Sequence, residues 1–380
     1  MSAEPEEIVR RKSGVGRRTM FIAVGAIAVV AIVLVYGAFA GWFSSSQAIT
    51  LVGAGATFPD PLIRKWSSVY VSKTNGTVRV NYQALGSGAG ISQITAKTVD
   101  FAGTDAPLNA TERTNAPGLL HIPETIGAVT AAYNLPGIPS GLNLTGQILA
   151  DIFLGTITNW DNASIAALNP GVSLPSTSIS VVHRSDGSGT SFVWTSYLHL
   201  ASTTWPTSLV GKNPNWPAGI GKQGNAGVAG YVRQTANTIG YVELAYTVQN
   251  SMTVAKVRNP AGNFILPTLN STRDAAAGAS PTLPASNASW TGVSILNAPG
   301  ATSYPISSLT YLLVYQELNV LGPSMTKARA QALVDFVWWA VHDGQAYSEA
   351  LVYVPLPDPV KNLNEQGLRN VTFNGQTLHT

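Results

Sequence analysis

The 380-residue chain has no cysteine. That excludes disulfide staples, thiolate metal sites, cysteine nucleophiles and a lipid anchor on a cysteine. Charge is scarce as well: 11% of residues are Asp, Glu, Lys or Arg, against 45% hydrophobic, a balance that argues against an intrinsically disordered chain. A formal net charge of +3 is too small for a nucleic-acid binder, and no Lys/Arg stripe follows the N-terminus, so no nucleic-acid partner is expected. The histidines (His121, His183, His199, His342 and His379) lie far apart and never in H-E-x-x-H spacing, so neither a metal nor a cofactor is expected. There is no G-x-x-x-x-G-K-[ST] loop, and Gly187-Ser188-Gly189 lacks the G-x-S-x-G spacing of a nucleophile elbow. Gly53-x-Gly55 and Gly86-x-Gly88 open like dinucleotide fingerprints. Phe58 and Ile91 stand where the third glycine belongs, and Lys73 stands where a ribose-binding acid would follow Gly53.

What is present begins with a basic leader, carrying Arg10, Arg11, Lys12, Arg17 and Arg18, followed by the uncharged stretch Met20 to Phe43. That stretch is long enough to span a bilayer, with aromatic Tyr36, Trp42 and Phe43 at its far end. The expectation is a cytoplasmic segment 1–19, a transmembrane anchor 20–43 and a linker 44–47, with the remainder on the outer face of the cell membrane. Ala38-Phe39-Ala40 also matches a signal-cleavage site, and Arg17-Arg18 faintly echoes a twin-arginine signal. Signal-peptide apolar regions run to only about 7–15 residues, so a retained anchor is the preferred reading. Asn-x-Ser/Thr triplets, at Asn75 and Asn143 among others, suit an exported surface chain.

Beyond the linker, one pattern repeats: a short β-branched run, a Gly/Ser/Thr turn, then a helical period. Ile49 to Val52 leads through Gly53-Ala-Gly-Ala-Thr-Phe-Pro59 into Leu62, Ile63, Trp66, Val69 and Tyr70 at helical spacing. Val78, Val80 and Tyr82 lead through Gly86-Ser-Gly-Ala-Gly90 into a short helix with Ile91 and Ile94 inward. Val99 to Ala102 ends in a turn presenting Asp105. Ile179 and Val181 lead through Arg184-Ser-Asp-Gly-Ser-Gly-Thr-Ser191 into Phe192, Val193, Tyr197 and Leu200, spaced as one helix face. Further on, 126–133, 239–242 and 311–315 read as strands. A helix is expected over 228–234 and another over 327–341, the latter closed by Asp343-Gly344, while 212–227 and most of 274–305 read as loop. Repeated β–turn–α units imply mostly parallel sheets with ligands at the carboxyl ends of the strands. Such turns gather free N–H groups and the positive ends of helix dipoles, and Arg184 adds a fork of donors suited to tetrahedral oxyanions. That is chemistry for holding an anion. The same residues would also serve as ordinary helix caps.

Four of these stretches, Gly53 to Pro59, Tyr82-Gln-Ala-Leu-Gly-Ser-Gly88, Val99 to Pro107 and Arg184 to Ser191, resemble, in order, the phosphate-binding proteins of the high-affinity phosphate ABC transporter, the PstS family. Weaker echoes lie at Gly224-Asn225, Ile239 to Val242 and Leu356-Pro357-Asp358. The resemblance implies an α/β fold of the two-lobed periplasmic-binding-protein type II, with helices on both faces of its sheets. Two hinge crossings, near Asn134 and Tyr304-Pro305, would divide it into one lobe of 48–133 plus 305–380 and another of 134–304. It implies inorganic phosphate as ligand, held by Thr57, Phe58 (through its N–H), Ser87, Asp105, Arg184, Ser188, Gly189 and Thr190, with Asp186 holding Arg184 by an ion pair. It implies delivery to the permease subunits of a phosphate ABC importer, and no enzymatic activity. Gly88 stands where a second serine is common in that family and His183 where a basic residue is frequent; neither change removes an expected contact. Asp105 beside an anion suits a ligand that carries a proton, since monohydrogen phosphate can donate to it and sulfate cannot. A surface phosphatase and a purely structural surface protein are the alternatives; the first lacks a metal-ligand cluster and the second would predict a decayed donor set.

Overall fold

In the computed structural model, the described residues are 48–278 and 283–378. The expected anchor 20–43, with its flanking segments 1–19 and 44–47, lies outside them. Among the described residues no helix is long and apolar enough to cross a membrane.

The chain forms β1 (Ile49–Gly55), β2 (Val78–Ala84), β3 (Phe101–Thr104), β4 (Leu119–Asn134), β5 (Asn143–Leu144), β6 (Ser180–Arg184), β7 (Ile220–Lys222), β8 (Thr238–Glu243), β9 (Thr253–Val254), β10 (Lys256–Arg258), β11 (Phe264–Ile265) and β12 (Ser307–Tyr315). Nine of these make one sheet in the order β2-β1-β3-β12-β4-β8-β6-β7, with β9 paired to β4, while β11, β10 and β5 make a smaller one. The sheet is mixed, but not mostly parallel. Parallel ladders (β1 with β2 and β3, β6 with β7 and β8) occupy its two ends, and antiparallel β12, β4 and β8 fill the middle. The reason is β4, a 16-residue strand far longer than the expected 126–133. Its first part pairs with β12 up to Ala128, and from Val129 onward it pairs with β8. A single backbone therefore runs through both halves of a two-lobed α/β architecture. The returning chain lies alongside: Val129 N–H donates to the Ile306 carbonyl (2.9 Å), and Tyr304 Oη–H donates to the Val129 carbonyl (3.0 Å).

The helices follow apolar spacing where packing is one-sided. In the helix Asp60–Lys73, Leu62, Ile63, Trp66 and Tyr70 are buried and Val69 half-buried, with a proline in the first turn. Each large apolar side chain buried in this way contributes roughly 1.5–3 kcal/mol. The helix Ser87–Thr95 buries Ile91 and Ile94 and sits almost on the backbone of β1: a Cβ added to Gly90 would come within 2.5 Å of Gly55 Cα. The helix Lys327–Val341 has the expected bounds. Its end differs, since Asp343–Tyr347 continues as a 3-10 turn.

Three local readings change. In the helix Gly189–Ala201 the inward face is Val193, Trp194, Tyr197 and Leu198, while Phe192 is half-buried and Leu200 is 59% exposed. Leu200 borders a groove rather than the core. The stretch 212–227 is not loop throughout, because it holds β7 and the start of a helix, Gly224–Gln234, four residues earlier than expected. A helix, Leu269–Gly278, also enters the stretch read as loop from 274.

Candidate functional site

The Gly/Ser/Thr turns and the turn that presents Asp105 meet at the carboxyl ends of β1, β2, β3 and β6. Each turn is built by a local requirement. Ser188 caps the helix Gly189–Ala201, its Oγ accepting the Ser191 N–H at 3.0 Å. Gly86 precedes the helix Ser87–Thr95 at φ +102, and a side chain there would strike Asp186 Oδ2 at 2.3 Å, so both conformation and space demand glycine.

Arg184, 3% exposed, is held as a fork. Its Nε donates to Asp186 Oδ1 at 2.7 Å and its Nη2 donates to Asp186 Oδ2. Its backbone N–H donates to Tyr241 Oη at 2.9 Å, and Nη1 reaches Thr190 Oγ1 at 3.4 Å. Gly224 N–H adds a third donor to Asp186 at 2.9 Å. Burial alone would push the Asp186 carboxyl up, but the Arg184 and Gly224 donors and the Arg184 charge outweigh it and hold it low. This pair gives a fixed guanidinium with its Nη1 edge turned to the site hydroxyls.

Those hydroxyls are held from behind by N–H groups. Ser87 Oγ accepts from Asp105 N–H (3.2 Å) and Gly189 N–H (3.1 Å). Thr57 Oγ1 accepts from the Asn225 backbone N–H (3.2 Å) and side-chain Nδ2 (3.0 Å). Thr190 Oγ1 accepts from Asn225 Nδ2 (3.1 Å) and donates to Asp105 Oδ2 (3.4 Å). Behind Thr57 and Phe58, Tyr246 Oη–H donates to the Thr57 carbonyl (2.6 Å) and Tyr353 Oη–H to the Phe58 carbonyl (2.7 Å).

Asp105 is 2% exposed and its Oδ1 has no hydrogen-bond partner. Burial raises its pKa to about 7, despite the opposing Arg184 charge and the Thr190 hydrogen bond. Two further carboxyls lie buried nearby. Glu124, which accepts from Thr310 Oγ1, is pushed by burial to about 8. Glu243 is driven well up by burial while its Oε2 accepts from Ala245 N–H (2.9 Å) and lies 3.1 Å from Tyr353 Oη. A groove of about 290 Å³ reaches Asp105 from the surface between Phe192, Leu200, Leu296 and Tyr311.

Of the residues singled out in the sequence, Thr57, Ser87, Asp105, Arg184, Asp186, Gly189 and Thr190 are linked by direct hydrogen bonds or through one shared side chain. Phe58 and Ser188 adjoin them as neighbours of Thr57 and Gly189. Gly88 meets the fourth turn through its backbone, its N–H donating to the Gly187 carbonyl at 2.8 Å. His183 stacks on Trp216, ring centroids 5.0 Å apart. Asn225 was missed as a site residue, although it touches two site hydroxyls. Its only sequence signal was the Gly224-Asn225 pair inside a stretch that reads as loop. Tyr241, Tyr246 and Tyr353 were missed because each reaches the site through a hydroxyl from a distant element.

With this geometry in place, the comparisons are consistent with one another. The family model described as a PBP superfamily domain matches residues 43–342. The phosphate-binding protein PstS of Pasteurella multocida is 43% identical over 329 residues, covering 85% of this chain and 90% of that protein. The protein of the same name from Methanocaldococcus jannaschii is 33% identical, covering 91% and 94%. A solved structure of a high affinity periplasmic phosphate-binding protein, bound with phosphate at pH 8.5, superposes with a TM-score of 0.65 at 22% identity over 83% of this chain and 92% of that one.

Proposed function

The chain belongs to the PBP superfamily and, within it, to the PstS phosphate-binding proteins, and from that premise we propose that it captures inorganic phosphate between its two lobes and delivers it to the permease subunits of an ABC importer. It acts as a binding protein, not an enzyme. The observation that carries the reading is Asp105: a buried carboxyl with an unpartnered oxygen, set among hydroxyl, N–H and guanidinium donors. A dehydrated phosphate offers acceptor lone pairs to the donors. Its remaining P–OH meets the one acceptor in the set. Sulfate would leave Asp105 Oδ1 without a donor, an unsatisfied buried acceptor.

In this reading Thr57, the Phe58 N–H, Ser87, Arg184, Ser188, Gly189 and Thr190 donate to the anion, and Asp186 fixes Arg184. The lobes are 48–133 with 305–380 and 134–304, and their hinge is supported by the change of partner along β4 at Ala128 and Val129, beside Ile306. The protein works outside the cytoplasm, tethered by the retained segment 20–43.

Calorimetric titration of the full-length chain, freed of residual anion by partial unfolding and refolding, tests the ligand. Tight one-to-one phosphate binding without a sulfate signal is expected, and binding of neither anion refutes the reading. Recovery of the chain at full mass in the membrane fraction tests the tether; a shortened, released chain starting after Ala40 refutes it.

A further inference from the structure

We infer that Asn225 is a positioning residue that sets the direction of the Thr57 hydroxyl, making it a donor to the ligand; the inference rests on the phosphate reading and assigns a role to a residue outside the set that touches the anion. Asn225 is fully buried at the start of the helix Gly224–Gln234. Its amide has one possible orientation, because Oδ1 accepts the Glu243 backbone N–H at 3.1 Å. Nδ2 must therefore face the threonines, and it donates to Thr57 Oγ1 at 3.0 Å and to Thr190 Oγ1 at 3.1 Å.

The consequence follows from counting lone pairs. The Thr57 oxygen has two, and both are taken, by the Asn225 backbone N–H and by Nδ2. Neither partner can accept, so the hydroxyl hydrogen is turned away from Asn225, and among the described residues no group receives it. Thr190 is treated differently by the same amide: with Nδ2 and Arg184 Nη1 as its donors, its hydrogen goes to Asp105 Oδ2. One carboxamide thus presents the Thr57 hydroxyl as a donor to an incoming oxygen and commits the Thr190 hydroxyl to the carboxyl, leaving Thr190 its first-turn backbone N–H for the anion. Without Nδ2, one Thr57 lone pair is left unfilled, the direction of the hydroxyl hydrogen is no longer fixed, and an aligned, charge-assisted hydrogen bond to the anion is lost.

A double-mutant cycle on phosphate affinity in the full-length protein tests this. Asn225→Ala and Thr57→Val are each expected to weaken binding about tenfold to hundredfold, the range of one hydrogen bond to a charged group. In the Thr57→Val background, Asn225→Ala should cost about threefold or less, since the hydroxyl it directs is gone. Denaturant unfolding of the same four proteins supplies the contrast, because a merely structural Asn225 would lower stability and its affinity loss would add to that of Thr57→Val. If Asn225→Ala does not fold, Asn225→Ser, which keeps an oxygen for the Glu243 N–H, takes its place in the cycle. Additive losses, or no loss on changing Asn225, overturn the inference. Absence of phosphate binding by the unaltered protein would instead remove the functional reading beneath it.

Discussion

Gly189 gives the most direct test of how tightly the turns close. Its backbone φ is not in the left-handed region, and it begins the helix Gly189–Ala201, so alanine is conformationally acceptable and even favoured, by about 0.5–1 kcal/mol. The obstacle is space. An added Cβ would lie 2.4 Å from Ser87 Oγ and 2.6 Å from both Asp105 Cβ and Oδ2. Those atoms belong to the turns after β2 and β3, on the other side of the cleft. Gly189→Ala should therefore leave its own helix intact and wedge the turns apart, breaking the 3.1 Å bond from Gly189 N–H to Ser87 Oγ. Overpacking of this kind costs about 1–3 kcal/mol, and here the cost falls on the closed form, which corresponds to an affinity loss of about fivefold to 150-fold. Calorimetry with phosphate reads the affinity, and urea unfolding of the ligand-free protein reads the stability. The expected result is weaker binding with unchanged or slightly higher stability. Unchanged affinity would refute the closed geometry at this point, and a stability loss as large as the affinity loss would show ordinary core damage.

Three further outcomes are expected. Below about pH 7 the Asp105 carboxyl carries a proton and can donate, so sulfate affinity should rise as pH falls from 8 to 5.5. Asp105→Asn should bind sulfate with that pH dependence removed, and titrations at the two pH values that show parallel behaviour count against the role given to Asp105. Glu124 has its pKa raised to about 8 in the folded chain, so folding takes up a proton between the unfolded value and 8. Its contribution is fully present near pH 4 and is lost as pH rises through about 8; Glu124→Gln should flatten the fall in stability between pH 5 and pH 8, and urea curves with the same slope as wild type would sink that claim. Gly90→Ala places a Cβ 2.5 Å from Gly55 Cα and 2.7 Å from the Ala54 carbonyl oxygen, backbone atoms that cannot step aside. A loss of about 1–3 kcal/mol or more is expected, and a thermal melt matching wild type would contradict the packing of that helix on β1.

How far the sequence could be read depended on the range of the interaction. Leu62, Ile63, Trp66 and Tyr70 declared their helix because a one-sided core imposes a 3.6-residue period on any helix that covers it. The turns at Thr57, Ser87, Asp105 and Arg184 were legible because glycine, hydroxyl and charged residues crowd together there for reasons internal to each turn. Leu200 misled because spacing shows which residues share a face and not what that face meets; here it borders an open groove. The antiparallel middle of the sheet was hidden in the length of β4, whose partners lie more than a hundred residues away in the chain. Asn225 was hidden most completely. Its work is done by an amide whose orientation is set by Glu243 and whose targets are Thr57 and Thr190, and no local pattern records such a triangle.

The shared strand β4 also bears on how the molecule comes apart. Its N-terminal part supplies ladder hydrogen bonds to β12 and its C-terminal part supplies them to β8. Melting either half strips partners from a backbone that the other half still needs. Residues 48–378 should consequently lose structure in one cooperative step despite their two-lobed form, with calorimetric and van't Hoff enthalpies in agreement. A chain whose lobes bend about a common strand can open and close without either lobe gaining an unfolding transition of its own.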